Sequence, residues 1–429
     1  MARETVCVVG LGYVGLPLAC RCAEKGYHVN GFDSDLRKIR LLSKGISPIK
    51  DSALESKVKR LHGRMFFSGS PKEAISGADI IVVCVPTPTI KNKPDLKPLK
   101  GACKTVGKNF SAEKKPLVVI ESTVYPGTVR EVVQPILEKG GLREGKDFLL
   151  AYCPERIDPG NSKWDIGKIP RVFGAMGKEG LQKGLRFYNS IVLGGVAGLS
   201  SVEAAEAVKV FENSFRDINI AFVNEVARCF DRLGIDMSEV IRGAGTKPFG
   251  FMPFYPGPGV GGHCIAEDPY YLIAKASSAG VNMRFMRLAR EINNSMPNFV
   301  VGIVARELGK KGVKLKGAKI AVLGVAYKAD VDDVRNSPAL KIIELLRRKK
   351  ALLRVFDPFL PKYSNVASLE KAVKGSDCIL LATHHSFFAK RLSPAFIRRS
   401  AAKAVVDARN ALDKEAMLSA GVAYKGVGR

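Results

Sequence analysis

Residues 247–272 combine a ligand-approaching loop with a thiol and an acid. They read Lys-Pro-Phe-Gly-Phe-Met-Pro-Phe-Tyr-Pro-Gly-Pro-Gly-Val-Gly-Gly-His-Cys-Ile-Ala-Glu-Asp-Pro-Tyr-Tyr-Leu. Four prolines and the Gly257–Gly262 run forbid a helix in the first half, so the main chain there can approach a ligand closely. The loop delivers Cys264, with Asp268 four residues on. A helix starting near His263 would put both on one face. A thiol at a Gly-rich turn and a helix start has the setting of a reactive thiolate. The other reading is a buried, inert cysteine, the commoner state of that residue.

The elements that must position this loop begin at the N-terminal end. Thr-Val-Cys-Val-Val (5–9) is a short apolar strand, and Gly10-Leu-Gly-Tyr-Val-Gly15 follows it. A helical pattern then runs to Gly26, and a second strand, Tyr27 to Phe32, ends in Asp33. GxGxxG between a strand and its helix lets a pyrophosphate approach the helix N-terminus. Asp33 stands where a carboxylate accepts from a ribose 2′-hydroxyl, which favours NAD over NADP. Apolar strands at 78–85, 116–120 and 147–152 each break at their C-terminal end into a polar or Pro/Gly turn, where open α/β sheets bind ligands.

From Ser200 the period becomes helical. Val202, Ala205, Val208, Phe211, Phe215, Ile218, Phe222, Val226 and Phe230 fall on it, with no Gly or Pro before Gly234. Such a helix suits a connector and a dimer core. Lys209 and Asn213 share a face of it, as a functional pair or as a solvated surface. After the basic stretch 310–319, strands are expected at 319–325, 352–356, 378–382 and 404–406, with a helix at 339–349 capped by Ser337-Pro338. Lys328 and Arg335 fall on the loop after the first of these strands, as phosphate ligands or as plain surface charges.

The expected fold is α/β, with two Rossmann-like doubly wound domains (1–195 and 309–429) joined by a helical middle domain (196–308) that carries the long helix. The chain has 429 residues, 46% hydrophobic and 25% charged, enough for about three domains. Its nine cysteines are scattered without CxxC or zinc spacing, which points to a reducing compartment and no metal. No signal-peptide pattern opens the chain and no apolar run is long enough for a bilayer, so a cytoplasmic protein is expected. The net charge of +27 is spread along the chain without aromatic interleaving, which argues against a nucleic-acid or membrane partner and suits anionic small ligands.

These motifs, in this order, resemble the UDP-sugar 6-dehydrogenase family (the UDP-glucose/GDP-mannose dehydrogenase superfamily). The markers are Gly10–Gly15, Cys84-Val-Pro-Thr-Pro88, Glu121-Ser-Thr123, Pro154-Glu155, Lys209 with Asn213, Gly261-Gly-His-Cys264 with Asp268, and Gly324 through Arg335. Pro154–Asn161 and Lys247–Gly259 look most like UDP-N-acetylglucosamine 6-dehydrogenases, ahead of the manno and galacto enzymes. Many UDP-glucose enzymes carry a second Glu where this chain has Pro159. Glu267, beside Asp268, also departs from the family habit. The resemblance implies two successive hydride transfers to NAD, with Cys264 as nucleophile and Lys209, Asn213, Asp268, Glu155 and Thr123 as catalytic groups. It implies NAD contacts from Gly10, Gly12, Tyr13, Val14, Gly15, Asp33, Pro86, Thr87, Thr123 and Lys328. The UDP-sugar would meet Glu155, Arg156, Lys209, Asn213, Phe254, Tyr255, Gly257, Gly259, Gly261, Lys328 and Arg335. A homodimer or larger homo-oligomer is the family habit.

Overall fold

The computed structural model describes residues 4–157 and 166–429. The chain forms two compact units: residues up to Glu212 with Tyr270–Val281, and Asn213–Pro269 with Asn282–Arg429.

The first unit is built on an eight-stranded sheet. Its strands are β1 (Thr5–Val9), β2 (His28–Phe32), β3 (Met65–Ser68), β4 (Ile80–Val83), β5 (Leu117–Ile120), β6 (Leu149–Tyr152), β7 (Arg171–Ala175) and β8 (Val196–Gly198). Their order is β8-β7-β6-β5-β4-β1-β2-β3. Every pairing is parallel except β6 with β7. The parallel strands need crossovers, and the first is α1 (Gly15–Glu24), which follows β1. Alternate residues feed two cores. Val6, Val8, Ile80, Val82, Leu117 and Val119 line one face. Cys7, Val9, Ile81, Val83, Val118 and Ile120 line the other. Both faces are covered, which is why β4 and β5 read as unbroken apolar runs. The strand order reverses at β1/β4, the crevice where such sheets take nucleotides.

The second unit has a five-stranded parallel sheet of β9 (Lys319–Leu323), β10 (Leu352–Phe356), β11 (Cys378–Leu381), β12 (Ala404–Asp407) and β13 (Tyr424–Gly426). The order is β10-β9-β11-β12-β13. Four helices matter for the site. The helix α2 (Val202–Leu233) has 32 residues and is about 48 Å long. It begins and stops within two residues of the predicted span, because nothing inside it breaks the period. The others are α3 (Cys264–Ser278), α4 (Arg284–Gly309) and α5 (Pro338–Arg348). The α5 start follows the predicted rule: the Ser337 hydroxyl accepts from the Ala339 N–H, and Pro338 occupies the first turn.

The doubly wound, three-domain α/β architecture is as expected. Sequence patterning did not reveal β3, β7, β8 and β13. Among the described residues no helix is long and apolar enough to cross a membrane.

Candidate active site

Two strand-end acids show which of the sheets can hold a dinucleotide. In the first unit Gly10 turns at φ +94, and a Cβ there would stand 2.9 Å from the Cys84 carbonyl oxygen. A Cβ on Gly15 would fall 1.9 Å from the Gly10 oxygen. A Cβ on Gly12 would meet nothing within 4 Å, so that side of the turn is open to a ligand. Val14 precedes α1 at the cap position, and Tyr13 is exposed. Asp33 ends β2. Its Oδ2 accepts from the Leu11 N–H and from Lys38 Nζ, both at 2.9 Å, and its Oδ1 from the Asp35 N–H at 2.9 Å. A carboxylate has about four acceptor directions, so room is left for one ribose hydroxyl.

The corresponding acid of the second unit is Asp357, after β10. It is saturated: it accepts from the Val325, Ala326, Phe359 and Leu360 N–H groups and lies 3.0 Å from His385 Nε2. His385 Nδ1 accepts from the Asp330 N–H, so Nε2 carries the proton that it donates to Asp357. NAD therefore fits the first sheet and not the second.

The remaining predicted residues of the first unit cluster on loops at strand ends and on α2. Lys209 is buried, and its ammonium donates to the Glu155 carbonyl at 2.5 Å. Glu155 is half-buried, and its carboxylate accepts from the Ile157 N–H. Arg156 is committed to Glu212 and to the Pro170 carbonyl. Thr87 is buried, and its carbonyl accepts from the Tyr271 hydroxyl at 2.6 Å. Pro86 lies in the same turn, and Thr123 is half-buried after β5. Asp158, Pro159, Gly160 and Asn161 lie outside the described residues.

In the second unit Cys264 is the first residue of α3 and is exposed. Seven of the nine cysteines are buried, and burial pushes their thiols up, to about 12 in Cys7, Cys103 and Cys378. Asp268 is buried one turn along α3, and its Oδ2 accepts from Asn213 Nδ2 at 2.5 Å. Arg335 is exposed and forks onto Asp333, with contacts of 2.6 to 3.1 Å. The hydrogen bond to Asp333 holds its guanidinium above the usual range, and the nearby Cys264 adds to this. Lys328 is half-buried on the same loop. The Arg335 carbonyl accepts from the Gly262 N–H at 2.9 Å. A Cβ on Gly261 would lie 2.8 Å from the Asn336 oxygen, so glycine is required where the two loops touch. Tyr255 is exposed, whereas Phe254 packs edge-on against Phe215, with ring centroids 5.9 Å apart.

Glu267 has a role that sequence reasoning did not supply. It accepts from Asn336 Nδ2 at 2.8 Å and lies 3.5 Å from His263 Nε2, tying the start of α3 to the 324–336 loop. Burial lowers the His263 pKa, and Glu267 opposes that. Glu206 was missed as well. One turn before Lys209, it accepts from the Gly127 and Val129 N–H groups at 2.6 and 2.7 Å. Burial pushes its carboxyl up to about 7 against those donors. Only an acid on an apolar helix face signalled it.

Comparison with known proteins agrees with this geometry. Residues 4–192 match the NAD binding domain of the UDP-glucose/GDP-mannose dehydrogenase family, 203–295 its central domain and 321–414 its UDP binding domain. The chain is 35% identical to a UDP-N-acetyl-D-mannosamine dehydrogenase of Pyrococcus horikoshii, covering 99% of each. It is 37% identical to a UDP-N-acetyl-D-glucosamine 6-dehydrogenase of Pseudomonas aeruginosa, covering 96% of this chain and 97% of the other. The solved structure of the UDP-D-ManNAc dehydrogenase from Pyrococcus horikoshii superposes with a TM-score of 0.91 at 36% identity, over 99% of both chains. With an NAD-binding sheet, a UDP-binding domain and full-length relatives of one kind, the chain belongs to the UDP-glucose/GDP-mannose dehydrogenase family and is an NAD-dependent UDP-sugar dehydrogenase.

Proposed function

We propose that the enzyme oxidises C6 of a UDP-N-acetylhexosamine, UDP-N-acetylglucosamine first, to the uronate. The observation that carries this is the pair of near-full-length relatives, both named for N-acetylated UDP-hexosamines. Pro159, in place of the second acid of many UDP-glucose enzymes, supports the same choice. The manno epimer is the nearest alternative, because one of the two relatives carries that name. The galacto epimer and UDP-glucose stand behind it.

Alcohol to acid is a four-electron change, and NAD, when bound, supplies a hydride acceptor for each two-electron half. The chain's own residues do the rest. Lys209 and Asn213 stabilise the oxyanion that develops at C6. The Cys264 sulfur adds to the aldehyde carbon, so the reactive intermediate stays bound as a thiohemiacetal. Loss of the second hydride leaves a thioester. Water, positioned by Asp268 and Thr123 and assisted by Glu155, cleaves it and returns the thiol. Support for the nucleophile comes from its place at a helix start near the Arg335 charge, two surroundings that favour thiolates. The Gly257–Gly261 backbone with Tyr255, Lys328 and Arg335 holds the uridine diphosphate in this scheme, and Phe254 backs the loop.

NADH yield at limiting sugar tests the whole reading. Two NADH per UDP-N-acetylglucosamine are expected, with little from UDP-glucose. One NADH per sugar would leave the reaction at the aldehyde and remove the role of Cys264. A greater yield or rate from the manno epimer would transfer the substrate to it.

We also propose domain divisions at 1–195, 196–308 and 309–429, each of which contains one family domain match. A homodimer on α2 is the proposed assembly. Phe211, Phe215 and Phe222 are exposed on that helix at spacings of four and seven, a stripe too apolar to leave in water. Light scattering should give twice the chain mass, and Phe222→Glu should shift it toward the monomer. A native monomer at micromolar concentration would refute the assembly.

A further inference from the structure

A buried polar chain runs from an ion pair to the backbone of the Gly-rich loop. Asp217 and Asn224 lie seven apart on α2, and Arg290 and Asn293 lie three apart on α4. All four are at least 96% buried. Arg290 Nη1 donates to Asp217 Oδ1 at 2.6 Å. Asn293 Nδ2 donates to the same oxygen at 2.8 Å and to the Asp217 carbonyl at 2.9 Å. The Asn293 carbonyl oxygen must therefore face the other way, where Asn224 Nδ2 donates to it at 2.9 Å. That in turn fixes the Asn224 amide, whose Oδ1 accepts from the Gly257 N–H at 2.9 Å. Each amide has only one orientation that satisfies both neighbours, so the direction set by the Asp217 charge is passed to a loop N–H. The same Asn293 meets the loop again two residues on: a Cβ on Gly259, at φ +118, would lie 2.8 Å from its backbone oxygen.

We propose that Asn224 and Asn293 are positioning residues for the UDP-sugar. Without touching the ligand, they fix the place of Gly257 and so of the main chain from there to Gly262, which leads into Cys264. The inference rests on the reading above that this loop holds the uridine diphosphate. A core of this kind could be apolar at no cost in stability. A directional amide pair ending on a loop N–H is instead suited to holding the loop in one register before ligand arrives.

Kinetics of three variants in the full-length enzyme test this. Asn224→Ala leaves the Gly257 N–H without its partner, a loss equivalent to about 10- to 100-fold in an equilibrium constant. The expected result is a rise of that size in KM for the UDP-sugar with KM for NAD nearly unchanged, whatever the stranded buried groups take from the melting temperature. Asn293→Ala should act through the same chain, so the double variant should be no worse than the worse single one. Asn224→Asp is the rescue. Protonated, it matches the asparagine, donating to Asn293 and accepting from Gly257. Ionised, it opposes the Asn293 oxygen, with Asp217 and Arg290 the charges at the far end. Its KM should approach the native value at low pH and rise with pH, a profile that loss of folded protein would not give. Even if Asn224→Ala fails to fold, this profile decides the matter. A pH-independent KM in Asn224→Asp, or a native KM in Asn224→Ala, overturns the proposal. Gly261→Ala and UDP calorimetry separate it from its premise. Unchanged UDP binding there means the loop is not the UDP site. Lost binding in Gly261→Ala alone means that only the positioning role fails.

Discussion

Cys264→Ser should stop uronate formation, lowering the steady rate of NADH production by about a thousandfold or more. Binding of the UDP-sugar should change by no more than about threefold, because one exposed sulfur contributes little to holding a ligand of that size. The argument rests on the second half of the reaction. An aldehyde has no leaving group, so its oxidation requires a tetrahedral adduct first. Even an unperturbed thiol is a few per cent thiolate near neutral pH, and that thiolate adds readily, whereas a serine hydroxyl is ionised only far above it. The oxygen adduct would in addition proceed to an ester, which water cleaves more slowly than a thioester. Cys229 is the natural control, since it is the other exposed cysteine. Cys229→Ser should turn over at the native rate. If Cys264→Ser instead makes acid as fast as the native chain, the covalent scheme is wrong, and a hydrated aldehyde would have to be the species oxidised in the second step.

That Cys264 could be singled out at all shows which parts of this protein are legible in sequence. Features enforced locally were readable. The prolines and glycines before His263 forbid a helix, and α3 begins at Cys264. Gly10 and Gly15 are where a strand must turn sharply into a helix, and a Cβ at either would collide with backbone. The uninterrupted period from Val202 gave α2 almost to the residue. Features enforced by distant partners were not. The strand β7 opens on Arg171, a charged residue that no strand pattern would place inside, and it is buried because Glu121, fifty residues earlier, neutralises it. The chain from Asp217 to Gly257 joins three segments, and each of its asparagines looks like an ordinary polar helix residue. Asp357 resembles a second ribose-binding acid by position, and only its five donors show that it is used up. Local conformation is written into adjacent residues, whereas satisfaction of a buried polar group depends on what the fold brings to it.

The Glu121–Arg171 pair should have the largest effect on stability. Arg171 Nη1 lies 3.1 Å from Glu121 Oε1, with both side chains almost fully excluded from water. Tyr188 donates its hydroxyl to the same oxygen at 2.6 Å, and the guanidinium lies 5.7 Å from the centre of its ring. Burial pushes the Glu121 carboxyl up, and Arg171 opposes that. Arg171→Met removes the opposition and leaves a carboxylate in the core, a change that costs about 3–5 kcal/mol. The sign with pH follows. With its folded pKa raised further above the unfolded one, Glu121 keeps its proton in the folded chain, so the variant is least impaired at low pH. Stability is lost as pH rises from the unfolded pKa through the raised folded one. Urea unfolding of the first domain should therefore show a deficit that grows from pH 5 to pH 8. Adding Glu121→Gln to Arg171→Met removes the stranded charge and should recover part of the loss and most of the pH dependence. An Arg171→Met variant as stable as the native chain at pH 8 would mean that the pair is solvated. The consequence reaches the chemistry too, because Glu121 stands two residues before Thr123. A carboxyl that swings toward water would take that loop with it, so the destabilised variant should also lose activity before it unfolds.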